Sequence, residues 1–179
     1  MKKILPAFFI LFLCTYFSSC ERDDICVDGD TPLLVLAFFD ATDTTDKKAV
    51  NAIRIKALDN DSILNDSESF SFTDRGTTGA GAQDSILIPL RINGTSTSFT
   101  LISNSADDAE TEEETGNIDT LTITYTTREA FISRGCGFVI NFDNLNLEVT
   151  TDDENWIQDI SVQQQTIENS ENVHVKIFH

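Results

Sequence analysis

The chain is 179 residues long and carries 12 basic against 30 acidic residues, a formal net charge of −18 at pH 7. That balance repels phosphate and lacks the basic footprint of a nucleic-acid binder, so nucleic acid is excluded as a partner. Two histidines and four cysteines leave few groups for nucleophilic or metal chemistry, and the length suits one domain with its own core.

Met1-Lys2-Lys3 is followed by an uncharged run over residues 4–17. A bilayer span needs about 20 apolar residues, so this shorter run after a basic start reads as a secretory signal over residues 1–19. Phe17-Ser18-Ser19-Cys20 resembles the lipobox of bacterial lipoproteins, with Phe where Leu is usual. The resemblance implies cleavage before Cys20 and a diacylglycerol on its thiol. Several acyl chains make a stable tether, since each buried methylene contributes about 0.8 kcal/mol. A membrane is therefore an expected partner, reached through the anchor. Arg22-Asp23-Asp24, after Glu21, resembles the surface-export signal of Bacteroidota lipoproteins. It implies the outer face of the outer membrane. A solvated acidic tether on a protein facing the periplasm is the alternative. Residues 20–31 are then a tether and 32–179 the folded domain. Losing Lys2 and Lys3 with the signal takes the net charge to about −20, which keeps a protein soluble on a crowded surface.

Cys14 leaves with the signal and Cys20 takes the lipid. Cys26 and Cys136 remain, an even pair in an oxidising compartment, and a disulfide between them is expected. It closes a loop of about 110 residues, for which the chain-entropy model gives about 4.7 kcal/mol.

The body reads as short strands. Residues 33–39 form an apolar run. Ile53 and Ile55 alternate with Arg54 and Lys56, and residues 69–73 are a further candidate. Ile86, Ile88, Leu90 and Ile92 alternate, but Pro89 lacks an amide hydrogen and places this strand at an edge or a bulge. Residues 98–102 follow. Leu121, Ile123 and Tyr125 share one face of residues 120–126 with threonines on the other. Residues 136–142 and 145–149 come next, separated by a predicted tight turn, Phe142-Asp143-Asn144-Leu145. Residues 156–163 and 173–177 complete about ten candidates. A helical turn is expected only within 40–52. The loops 74–83 and 103–117 are the longest, and the second is acidic enough to predict mobility.

Short, regular strands between Gly, Asn, Asp and Ser predict an all-β fold, a single antiparallel β-sandwich, immunoglobulin-like or related. A calycin-like barrel is the alternative. Trp156 follows both cysteines rather than lying between them, so the immunoglobulin hallmark is missing.

Catalytic signals are weak. His174 falls on the outward face of the last strand and His179 is terminal, so both are expected in solvent. Thirty acids make chance carboxylate pairs common, and one Trp with Tyr125, beside Phe residues that read as core, does not build a sugar cleft. Arg75 to Gln83 is Gly-rich but lacks the Gly-Lys-[Ser/Thr] ending of a phosphate loop. Asp59-Asn60-Asp61 starts like a calcium loop, yet Leu64 and Phe70 stand where Gly and Glu belong. Calcium at Asp40, Asp43 and Asp46 is the one cofactor left open. Asp followed by Ser or Thr and then, in three of the four cases, an apolar residue resembles the O-glycosylation site of Bacteroidota, with Thr44, Ser62, Ser85 and Thr120 as acceptors; ordinary turn chemistry gives the same pattern.

The stretches CERDDICVDGDTPLLVLAFFD and YTTREAFISRGCGFVINFDNL resemble an uncharacterised family of Bacteroidota lipoproteins and carry both Cys26 and Cys136. The resemblance implies a lipoprotein and no substrate. The expected function is a non-catalytic binding or interaction module at the outer membrane, engaging an envelope protein or a glycan. The alternatives are a structural envelope-assembly component and a carboxylate-dependent hydrolase.

Overall fold

A computed structural model describes residue 26 and residues 30–58, 82–111, 113–150 and 154–179. The chain divides into two compact units. One comprises Asp30–Ala130 with Val139–His179, and the other Met1–Gly29 with Phe131–Phe138.

Eight strands run in chain order: β1 Leu34–Phe39, β2 Arg54–Ala57, β3 Ser85–Ile88, β4 Ser96–Ser103, β5 Asn117–Ser133, β6 Gly137–Val149, β7 Asp159–Val162 and β8 Val175–Phe178. No helix occurs among the described residues. Two open four-stranded sheets form, in the orders β3-β1-β8-β7 and β2-β4-β5-β6. The protein is therefore all-β, a sandwich and not a closed barrel. It departs from an all-antiparallel sandwich at one pair, where β1 lies parallel to β8 with Leu36 opposite Val175.

The first unit holds one core between the sheets. Leu34, Leu36 and Phe38 of β1 meet Ile55, Phe99, Leu101, Leu121, Ile123 and Phe142 of the other sheet. Every β1 residue is buried, because its second face is covered as well: Ala37 and Phe39 pack with Phe178. A strand buried on both faces reads as a continuous apolar run, and LVLAFF is one. β5 shows the opposite pattern, with buried Leu121, Ile123 and Tyr125 alternating with half-buried Thr120 and Thr122 and exposed Thr124 and Thr126. The Tyr125 hydroxyl donates to the Arg91 carbonyl at 2.8 Å and lies 2.6 Å from Thr97 Oγ1, which tethers the β3–β4 connection. β3 is an edge strand and stops before Pro89, as the missing amide hydrogen demands.

Three local expectations are corrected. Phe142-Asp143-Asn144-Leu145 is no turn: β6 runs through it, and the strand absorbs the left-handed Asn144 (φ 57°). The chain reverses instead at residues 134–136, between β5 and β6. Residues 40–52 hold bends and turns but no helical turn. The acidic loop after β4 is held in place, as shown below. The candidate strand at 69–73 and the Gly-rich loop at 75–81 lie outside the described residues.

Candidate functional site

The β5–β6 hairpin end belongs to the second unit. β5 continues past Thr124, its last residue paired with β4, to Ser133. Ser133 Oγ then accepts the Cys136 amide hydrogen at 3.0 Å, closing the turn. Gly137 takes a left-handed φ of 75°, a conformation that costs glycine little. Cys136 is bonded to Cys26, so the expected disulfide is present. Phe131 is 59 % exposed, Ile132 43 % and Phe138 65 %. The two phenyl rings meet edge to face at 5.3 Å. No acidic residue occurs from Ala130 to Phe142, and Arg134 lies in the turn. The result is an apolar, weakly basic knuckle on a strongly acidic protein.

Two arginines organise carboxylates in the first unit. Arg54 donates through Nη1 to Asp107 at 2.7 Å and to Glu114 at 2.8 Å. Glu114 also accepts from Ser105 Oγ and from the amides of Ala106 and Gly116. Burial raises the Glu114 pKa, but these donors and Arg54 outweigh it, and the net shift is downward. The Arg54 hydrogen bond likewise lowers Asp107. A Cβ on Gly116 would lie 2.5 Å from Ile102 Cγ2 and 2.7 Å from the Ser103 carbonyl, so only glycine fits beside this loop. Arg128 bonds Asp143 at 2.8 Å and Glu168 at 2.6 Å, which raises its own pKa and lowers that of Asp143.

Both histidines differ from expectation. His174 is fully buried rather than outward-facing. Its Nδ1 accepts the Val35 amide hydrogen at 3.0 Å, and its amide donates to the Val35 carbonyl at 3.1 Å. The proton therefore sits on Nε2, which is buried without a partner in hydrogen-bonding geometry. Burial pushes the ring pKa down, with the Asn169 backbone opposing. The second face of the β1/β8 sheet is covered here, so strand alternation no longer separates core from solvent. His179 is half-buried: its ring stands edge-on to Trp156 at 5.6 Å, and Nε2 lies 3.0 Å from the Lys48 carbonyl.

The remaining candidates are dispersed. Asp40 and Asp43 each bind the amide and hydroxyl of the threonine two residues on, Thr42 and Thr45. Asp46 donates its amide to the Asp43 carbonyl, and Lys48 lies 3.5 Å from Asp40. Local turn chemistry thus occupies the Asp40 and Asp43 carboxylates, with Lys48 beside Asp40, and no metal-holding cluster occurs among the described residues. Thr44 is exposed; Ser85 is half-buried in β3 and donates to Asp84. Thr120 is half-buried in β5 beside Asp119, whose buried carboxylate accepts from the Ile157 amide and the Asn155 side chain. Ser62, Cys20, Arg22, Asp23 and Asp24 lie outside the described residues.

The arginine hubs and the exposed knuckle are absent from the sequence reading. For the knuckle a signal existed: FISRGCGF places three large apolar residues around a Gly-rich reversal, where polar turn residues are the rule. The arginine partners lie 53 and 60 residues away for Arg54, and spacing cannot reveal them.

A family model described as a family of unknown function, DUF6452, matches residues 52–179. No curated protein and no solved structure matches the chain.

Proposed function

We propose that this chain, which belongs to the family of unknown function DUF6452, is a lipid-anchored outer-membrane protein that binds an envelope protein or glycan without catalysis. The observation that carries the reading is the Cys26–Cys136 disulfide. Such bonds persist in oxidising compartments, so the bond supports export, and with it the signal over residues 1–19 and the anchor at Cys20. Surface display through Arg22-Asp23-Asp24 extends the same reading.

Five of the described carboxylates are unsuited to general-acid chemistry. Asp40, Asp107, Asp108, Glu114 and Asp143 all shift downward, because donors hold their ionised forms. A carboxyl serving as general acid needs the opposite shift. His174 is packed against β1 and unavailable as a base.

The test is acyl labelling in intact cells followed by external protease. Label on the wild type, none on Cys20→Ala, and digestion without lysis are expected. An unlabelled protein in the cytosolic fraction would overturn the reading. Turnover of any surface polysaccharide by the purified protein would overturn its non-catalytic part.

A further inference from the structure

We propose that Phe131, Ile132 and Phe138 form a second membrane contact, dipping into the lipid interface beside the acyl anchor. The inference rests on lipidation of Cys20 and adds a site that the anchor alone does not require.

The tether limits where the knuckle can be. Cys20 is six residues from Cys26, and an extended chain spans at most about 3.6 Å per residue, so the anchored thiol can lie no more than roughly 25 Å from Cys26. Cys26 is covalently joined to Cys136, in the turn that carries the three apolar side chains. A lipid at Cys20 therefore keeps this turn, whatever the rest of the chain does, within one short tether length of the bilayer surface, close enough for its side chains to reach the interface.

The chemistry of the knuckle matches that surface. Large apolar side chains on a short element bury shallowly at the headgroup–acyl boundary, and two of the three here are aromatic. The stretch from Ala130 to Phe142 has no acid to repel anionic headgroups, whereas the whole chain carries −18. Arg134 adds the charge such headgroups attract. The disulfide and the Ser133–Cys136 hydrogen bond hold the turn closed, so little ordering is left for insertion to cost.

The experiment uses the full lipidated chain in phosphatidylethanolamine–phosphatidylglycerol vesicles containing brominated acyl chains. Phe138→Trp and, independently, Phe131→Trp add an indole to the single native Trp156. Ile118→Trp, at an exposed apolar residue outside the knuckle, is the reference. A blue shift and loss of the added emission are expected in both knuckle variants and not in the reference. An added indole that stays red and unquenched on floating vesicles overturns the knuckle contact while leaving the anchor intact. Blue-shifted emission that bromine does not quench also overturns it, assigning the knuckle to contact with a second copy of this chain. Protein that fails to float and carries no acyl mass at Cys20 overturns the anchor reading and the proposal with it.

Discussion

Asp40 shows how far one threonine can hold a carboxylate. Its pKa is lowered to about 2, chiefly by the Thr42 hydroxyl and then by the Thr42 amide. Thr42→Val removes the hydroxyl and keeps the shape, so an NMR titration should find the Asp40 pKa moved from about 2 towards the ordinary 3.8. His174 works in the other direction. Its folded pKa lies below 6.5 because burial disfavours the charged ring. Above pH 6.5 folded and unfolded rings are both neutral and the residue costs nothing. Below pH 6.5 the unfolded ring takes up a proton that the folded ring resists, so stability falls as pH falls, by at most about 1.4 kcal/mol per unit. Thermal melts from pH 7.5 to 5 should show this slope, and His174→Gln should flatten it at some loss of stability at pH 7.5.

At the scale of elements, Arg54 on β2 fastens the connection between β4 and β5. Its side chain is 24 % exposed and that of Glu114 12 %, so the pair is largely removed from water. Arg54→Met should cost about 1–3 kcal/mol, because the partly buried Glu114 carboxylate loses its cation. Adding Glu114→Gln should recover part of the loss, since the neutral amide needs no counter-charge. Both comparisons are read from denaturant melts. The sign with pH follows from the lowered carboxylates: the stabilisation is complete above their unfolded pKa values of 3.8 and 4.5 and disappears as pH falls below them. An acidic loop that composition alone marks as mobile is thus pinned by one cation from a distant strand.

For the whole molecule the disulfide is the long-range constraint. It joins residues 110 apart, and the chain-entropy model sets a ceiling of about 4.7 kcal/mol on what such a closure contributes. Cys26→Ser with Cys136→Ser should lower the melting temperature, by less than that ceiling implies if the unfolded chain keeps residual structure. A wild type that melts identically with and without reductant would show the bond to be energetically silent.

The strands were legible because alternation is a local signal. Leu121-Thr122-Ile123-Thr124-Tyr125 states its own buried face, and the uniform run of β1 states a central strand. Pro89 announces an edge, and cysteine arithmetic yields the disulfide once an exported chain is assumed. Long-range partners had no such signal. Asp143-Asn144 has turn chemistry, yet β6 runs straight through, because Arg128 on β5 holds Asp143 and Asn144 bonds Thr126. His174 reads as outward until β1 and its covered second face are known. By itself the sequence determined the strand periodicity and the acidic balance, and it pointed to the cysteine pairing once export was assumed, all properties of neighbouring residues or of counts. Only the tertiary structure decided which strands meet, which charges pair, and that Phe131 and Phe138 meet at an exposed hairpin end. Those depend on closing long loops, and nothing local records which closure wins.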